Sequence, residues 1–598
     1  MIRTVLRHPV LMAPLAALAL AASSACAAPV VGPSDASFYT LPATLPAGNH
    51  GDLLSYRQAT VKLGTGAPAT KAWNVLYQST DSEGETNVVS GTVIVPSTAW
   101  SGSGARPVVL YAVGTHGLAQ GCAPSRQFEK GTDYENANIV AALKQGYSVL
   151  VTDYQGYITG DASTYLAGES QGHAVLDIFK AATAIPGAGV TAGAKTAIWG
   201  YSQGGQSAAW AAELISSYAP ELNVVGVAAG GVPADFIATA PMLNGNIGFA
   251  FFASAIAGLA QQYPTSVPIN LIANDAGKAA LDRLKTQCVF EALFENQNKS
   301  ISPYTTDNVP LETLLNLRTV NATLKAQNLG GNKVPAPLYQ YHGSADEFIP
   351  LAQDYALKKA YCSKFTDVTF DLYPSEHIVT QFQAAPYVMS WLGDRFAGKP
   401  TQGTCSTTKG DPVANPNPGG GNFVVSLKSW PLTATVGLKT LGQTIALPAT
   451  SSFTADSDIT AGKLTGSLSV PDFTSTIKLL GINTDVKLKI TPVGQTTGTS
   501  TVDNQGILRV KGNAKADITV TSVWGIPFGN CKTVTPVDFP LDFTGPVSSL
   551  GNGGLTFTGT TTFPQLKGCI ISAILSSIMS GPGQTFSFSV APPAPQKW

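Results

Sequence analysis

Hydrophobic periodicity divides the chain into two regimes. Up to about residue 400, short apolar runs alternate with stretches whose apolar residues recur every three to four positions. The runs are 107–113 (P-V-V-L-Y-A-V), 148–151, 195–199 (K-T-A-I-W), 224–228, 338–342 (L-Y-Q-Y-H) and 368–373 (V-T-F-D-L-Y). Apolar runs of this length suit strands buried on both faces. Helical periodicity falls between them, at about 137–145, 173–184, from 206 onward, and 384–396. Strands alternating with helices imply parallel pairing with both faces covered, an α/β fold. Ahead of these, 72–95 reads as a β-hairpin around a D-S-E-G turn, which adds antiparallel strands at one edge.

From 423 to 598 the period becomes two. Segments such as K-L-T-G-S-L-S-V, D-V-K-L-K-I and G-L-T-F-T-G-T-T-T-F are broken by Gly, Pro, Asn and Asp. This patterning predicts an antiparallel β-sandwich, and 570–579 suits one short helix. Residues 406–422 contain N-P-N-P-G-G-G-N, a linker by composition. The expected partition is a leader at 1–27, a catalytic α/β unit at 28–405, the linker, and the sandwich at 423–598. The α/β alternation fails once, at 233–306. That insert holds a 14-residue apolar run, 247–260, too short to cross a bilayer. It reads as a buried helix or as a helical cap with an apolar lining.

Composition narrows the function. The 598 residues carry 36 Lys and Arg against 37 Asp and Glu, so no nucleic-acid partner is expected. His and Cys are scattered without ligand spacing, and no phosphate-binding loop is present, so neither metal nor cofactor is expected. The first 27 residues hold Arg3 and Arg7, an apolar stretch at 10–22 and an A-C-A site at 25–27, the pattern of a secretory signal. A lipidated Cys26 is the rival reading. Six cysteines then remain: Cys122, Cys288, Cys362, Cys405, Cys531 and Cys569. An even number in an exported chain points to disulfides, with 15 pairings open. Cys531 and Cys569 share the C-terminal half, and pairing there is the simplest arrangement.

The chemistry gathers around G-Y-S-Q-G, residues 200–204, between a short apolar run and an Ala-rich helical stretch. Strand, sharp turn, helix is the setting of a nucleophile elbow, which makes Ser202 the candidate nucleophile. A second match, G-E-S-Q-G at 168–172, follows a polar, loop-like segment, and its Ser170 reads as a helix cap. A serine hydroxyl needs a general base near neutral pH. In this arrangement the order is Ser, acid, His. His342 and His377 lie beyond Ser202; His342 falls inside a strand, whereas His377 follows one and precedes the last helix. Asp346 directly follows its own strand. The expected triad is therefore Ser202, His377 and Asp346, with Glu347 as the rival acid. Oxyanion donors are expected from Gln203 and from the 114–117 loop, at Thr115. His116 precedes the nucleophile, the wrong order for the base.

With these pieces placed, residues 35–400 resemble the secretory lipase family, which includes the fungal lipase A type. The resemblance rests on G-T-H-G-L-A-Q-G-C-A-P-S (114–125), D-Y-Q-G-Y (153–157), G-H-A-V-L-D (172–177), W-G-Y-S-Q-G-G (199–205), H-G-S-A-D-E-F-I-P (342–350) and S-E-H (375–377). It implies an α/β-hydrolase with a helical cap inserted after the nucleophile half, acting on carboxylic esters, often acylglycerols. It also implies disulfides Cys122–Cys288 and Cys362–Cys405. The expectation is a secreted, monomeric lipase working through an acyl-serine intermediate. The alternatives are a polyester or aryl-ester hydrolase, or an envelope-binding protein with a vestigial hydrolase half. The C-terminal half lies outside the resemblance. It is expected to stabilise, to space, or to contact a glycan, a lipid interface or the cell envelope, and its removal is expected to leave soluble-ester hydrolysis largely intact.

Overall fold

The computed structural model describes residues 29–407, 409–414, 421–479 and 481–598. The leader, Cys26 and part of the linker lie outside the described residues. The first of two sheets has eleven strands. Ten come from the first regime: β1 Val30–Val31, β2 Leu53–Ala59, β3 Thr70–Thr80, β4 Thr86–Pro96, β5 Val108–Ala112, β6 Ser148–Tyr154, β7 Thr196–Tyr201, β8 Val224–Gly230, β9 Leu338–Gly343 and β10 Val368–Tyr373. Their order is β1-β2-β3-β4-β6-β5-β7-β8-β9-β10. From β6 through β10 the pairing is parallel; β2, β3 and β4 are antiparallel, as the 72–95 hairpin predicts. β5, β6, β7, β9 and β10 are buried at every position, which explains why they read as mostly apolar runs without alternation, with buried polar residues such as Gln340, His342 and Asp371 among them.

The eleventh strand is Gln596–Lys597, the last turn of the chain, which pairs antiparallel with β10. It and β1 are too short to carry any periodicity. Other boundaries differ by a few residues. The helix expected from 206 begins at Gln203, and the one expected at 173–184 is Gly168–Thr183.

The insert between β8 and β9 is helical and longer than the broken alternation suggests. It includes Phe236–Leu243, Phe249–Gln262, Asp275–Leu284 and Val289–Glu295, then continues past 306 with Leu311–Asn316 and Arg318–Ala326. The last two helices turn Leu311, Leu314, Leu315, Val320 and Leu324 inward, an i, i+3, i+4 stripe hidden in a mostly polar stretch.

The C-terminal half is all antiparallel among the described residues, a 13-stranded sheet closed around its own apolar interior, with one helix at Ser572–Met579. Strand Val424–Leu438 shows the alternation directly, burying Val425, Leu427, Trp430, Leu432 and Ala434. The sandwich does not hang free. Its core is continuous with that of the cap and with Phe348, Val379 and Phe382 of the α/β unit. Phe348 meets Phe423 with ring centroids 6.4 Å apart. Gly551 packs so closely on helix His377–Gln383 that a Cβ there would lie 2.3 Å from the Gln383 nitrogen. Trp598 N–H donates to the Phe370 carbonyl, Lys358 Nζ to the Trp598 carbonyl, and Gln383 Nε2 to the Pro593 carbonyl. The half expected to be separable is thus fastened to the catalytic unit at three places.

The disulfides are Cys122–Cys288, Cys362–Cys405 and Cys531–Cys569. The first ties the cap to the loop after β5, and the last lies wholly within the sandwich.

Candidate active site

The turn after β7 is built by glycine. A Cβ on Gly200 would stand 2.1 Å from the Gly204 carbonyl oxygen, and one on Gly204 would stand 2.0 Å from the Ala112 carbonyl oxygen. Only missing side chains let strand and helix come this close. Between them Ser202 takes φ 59°, ψ −122°, a conformation costly for a residue with a Cβ. Helix Gln203–Tyr218 starts at the next residue, so the Gln203 N–H lies in a first turn with no partner inside the helix. Ser170 has none of this. It is the third residue of helix Gly168–Thr183, past the N-cap Ala167, and its hydroxyl donates to Gln155. It is an ordinary helical serine rather than the cap its position suggested.

Register places the other two candidates. β9 and β10 pair in parallel with Gly343 opposite Tyr373. The loops leaving both strands therefore emerge side by side, three residues before Asp346 and four before His377. His377 Nδ1 lies 2.6 Å from Asp346 Oδ2, while Asp346 Oδ1 accepts the N–H groups of Phe348 (2.9 Å) and Ile349 (2.8 Å). Tyr201, beside Ser202, packs against the His377 ring with centroids 4.9 Å apart. The strands reach this edge with their carboxyl ends, where α/β folds place their sites.

The Asp346 carboxyl is fully enclosed. Burial alone would raise it, but the His377 and His342 rings and its backbone donors hold it below the usual carboxylate range. His342 is not a spare base. Its Nδ1 faces Asp354 Oδ2 at 2.6 Å, and its Nε2 faces the Ile349 carbonyl at 3.1 Å and Asp346 Oδ2 at 3.5 Å. Acceptors facing both ring nitrogens favour the charged form of the ring. Burial opposes that charge, yet Asp346 and Asp354 outweigh it and raise the ring above its ordinary value.

Glu347, the rival acid, does not meet the ring; its Oε2 accepts the His377 backbone N–H at 3.1 Å. Glu376 caps the His377 helix, accepting from Ile378 and Val379. Burial dominates both glutamates. It pushes Glu376 up to about 7 against its backbone donors, and Glu347, facing Glu376 and Asp346, well above the carboxylate range. A neutral acid is the cheaper state there.

Ser202 and Gln203 open into a cavity of about 120 Å³ under the cap, lined almost wholly by apolar side chains. Its walls include Leu243, Phe252, Leu259, Leu315 and Leu324 from the cap and Phe348 from the Asp346 loop. Phe348 also packs edge-on against the His377 ring, centroids 5.3 Å apart. The Thr115 hydroxyl meets the Tyr165 hydroxyl at 2.7 Å, and Tyr165 lines the same cavity. The 114–125 loop is held from several sides: Gly114 N–H donates to Glu135, Tyr134 OH to the Thr115 carbonyl, and Tyr157 OH to the Gly117 carbonyl. Asp153 accepts from both the N–H and the hydroxyl of Ser125. His116 is a strut here, with Nδ1 against the Gly114 carbonyl and Nε2 2.9 Å from Asp133. Burial works against its charge, but Asp133 wins and pushes it up to about 9.

The strained turn at Ser202 and the residues of the Asp346–His377 contact were therefore legible as motifs between recognisable elements. Asp354 and Tyr165 were not, because each meets its partner, His342 or Thr115, only through the fold and belongs to no spacing pattern. Among the described residues no group of His, Cys, Asp and Glu is arranged to hold a metal ion.

The family model described as secretory lipase matches residues 124–404. Lipase 6 of Candida albicans is 30% identical over 413 residues, covering 64% of this chain and 86% of that protein. A Mycobacterium tuberculosis protein described as a "probable inactive lipase" is 30% identical over 379 residues, covering 62% of this chain and 83% of its own. Among solved structures, Candida antarctica lipase A superposes with a TM-score of 0.56 at 23% identity, over 64% of this chain and 88% of that one. The rice cell wall degrading esterase LipA of Xanthomonas oryzae superposes at 0.50 with 19% identity, over 58% and 100%. These two carry the fold alone. Together with the relatives, they make the chain a member of the secretory lipase family, a carboxylic ester hydrolase of α/β-hydrolase fold.

Proposed function

We propose that the protein is an exported serine lipase that cleaves long-chain acyl esters through an acyl-serine intermediate. One observation carries this reading: the strained Ser202 opens into an apolar cavity roofed by the cap, beside an in-register Asp346–His377 pair. The acyl chain lies under the cap and brings its ester carbonyl to Ser202. His377 Nε2 takes the hydroxyl proton as the oxygen attacks, while Asp346 holds Nδ1–H and stabilises the imidazolium. The N–H groups of Gln203 and Thr115 receive the oxyanion. Proton return from His377 releases the alcohol, and water repeats the sequence to free the acid. Three disulfides fit an oxidising compartment outside the cytoplasm.

The test compares wild type with Ser202→Ala on p-nitrophenyl esters, with phosphonate labelling located by mass. The alanine variant is expected to lose at least ~10⁴-fold in kcat. Full activity in that variant would reject Ser202. A series from acetate to long acylglycerols is expected to favour long chains; a sharp preference for acetate would reject the lipase reading.

A further inference from the structure

Among the described residues, the contacts between sandwich and catalytic unit gather at one end of the sandwich. Strand Ile507–Val523 starts beside Gly506, which abuts Phe290 of the cap, and runs away from it. At ~3.3 Å per residue its far end lies about 50 Å off. That end is the hairpin Val523-Trp524-Gly525-Ile526, with Val523 paired to Ile526. Trp524 and Gly525 have φ of 51° and 75°, so the two-residue turn needs left-handed backbone at both positions. Asn-Gly suits such a turn; a tryptophan there is strained. It is also 60% exposed, next to Ile526 at 58%. Ile482 stands out at the neighbouring hairpin, and Ile570 is 98% exposed, two residues past Gly568, which abuts Asn530.

Behind this apolar end runs a row of positive charge. Lys489 pairs with Thr519, Thr519 with Lys532, and Lys532 with Lys567. Directly opposed residues share a face, so three lysines line up across four strands, ~16 Å behind Trp524. Lys487, beside Ser522, lies nearer still. Asp517 answers Lys532 at 2.7 Å. Residues 423–598 hold 12 Lys and Arg against 8 Asp and no Glu, a net charge of +4 in a chain whose total is −1. Asp517 offsets one of these charges; like charges in one row are otherwise costly, and an external anion lowers that cost.

We propose that this end of the sandwich docks on the surface of an anionic lipid aggregate. The Trp524–Ile526 apex enters the interface, where an indole is at home, and the lysine row meets the headgroups. A convex apolar apex backed by cations suits a lipid surface better than a protein groove or a glycan. This rests on the reading of the chain as an enzyme for lipid esters, and the assay is chosen to separate the two.

Binding is measured by co-sedimentation with vesicles of ether-linked lipids, which contain no cleavable ester. One set carries phosphatidylglycerol headgroups at about a third, the other only phosphocholine. Wild type and Ser202→Ala are both expected to bind the anionic vesicles at low salt and to release at high salt. Trp524→Asn with Ile526→Thr is expected to bind at least tenfold more weakly, with soluble-ester kcat unchanged. Asparagine is the residue this turn prefers, so a melting temperature at or above wild type excludes misfolding as the cause. Replacing Lys489, Lys532 and Lys567 by Gln is expected to remove the preference for anionic over neutral vesicles. Absence of binding, equal binding to both vesicles, or unaltered binding by the hairpin variant would each overturn the proposal. Self-association lost with Trp524→Asn, without vesicle binding, would assign the surface to a second copy instead.

Discussion

Gly551 offers a clean test of whether the sandwich holds His377 in place. Its φ of −92° and ψ of −32° suit alanine, so Gly551→Ala adds no backbone strain. Its only consequence is steric. The new Cβ would lie 2.3 Å from the Gln383 nitrogen, 2.6 Å from the Val379 carbonyl oxygen and 2.7 Å from the Phe382 carbonyl carbon, all backbone of the helix that His377 begins. Ordinary contact starts near 3.4 Å, so the helix and the sandwich must separate by about 1 Å. Overpacking of this kind costs about 1–3 kcal/mol. A displacement of ~1 Å in a catalytic group can cost about 10²-fold in rate. The His377–Asp346 contact is 2.6 Å and has little slack. We therefore expect kcat on a soluble p-nitrophenyl ester to fall between about tenfold and a hundredfold, or ~1.4–2.7 kcal/mol in barrier. KM should change little, because Gly551 does not touch the acyl cavity. Gly529→Ala, in the same sandwich with open space around it, serves as the control and should match wild type. If Gly551→Ala retains kcat within twofold and an unchanged melting temperature, the sandwich yields freely and does not position His377.

Deletion of residues 423–598 should lower both the melting temperature and kcat, since it uncovers Phe348, Val379, Phe382 and Phe290; thermal melts and ester turnover of the truncated chain decide, and wild-type values would contradict the shared core. Stability should fall as pH rises, because Glu376 is held protonated to about 7 against an ordinary 4.5, and His116 is held charged to about 9 against 6.5. The Glu376 contribution is whole below pH 4.5 and lost by about pH 7, on the order of 3 kcal/mol. Urea melts between pH 4.5 and 7 should show the slope in wild type and a flatter one in Glu376→Gln; equal slopes would refute this. Leu315→Trp should fill the acyl cavity, reducing kcat/KM for long-chain esters at least tenfold while acetate turnover stays within threefold in a chain-length series.

Much of the catalytic unit was legible because its signals are local. A buried parallel strand announces itself by a short, mostly apolar run without alternation, and the elbow by glycines that must flank the serine. Ser202 was separable from Ser170 by the strand before it, and the backbone strain at Ser202 alone agrees. Asp346 and His377 followed from chain order, since each sits just beyond a strand end. The cap was read as far as 306 because helix Phe249–Gln262 is conspicuously apolar; helices Leu311–Asn316 and Arg318–Ala326 show only a thin stripe and passed as polar sequence.

By itself the sequence determined the α/β alternation, the two regimes, the elbow turn and the candidate residues Ser202, Asp346 and His377. These depend on which residue types can occupy a buried strand, a tight turn or a strand end, and each is settled within a few neighbours. Tertiary structure decided the rest. It placed Asp346 beside His377 through the register of β9 and β10, and set His342, held between Asp354 and the Ile349 carbonyl, behind them. It chose Glu347 for the backbone rather than the ring, and joined the sandwich to the catalytic unit through Gly551, Phe423 and Trp598. Those outcomes depend on distances between segments tens to hundreds of residues apart, which no local pattern of hydrophobic and polar positions encodes.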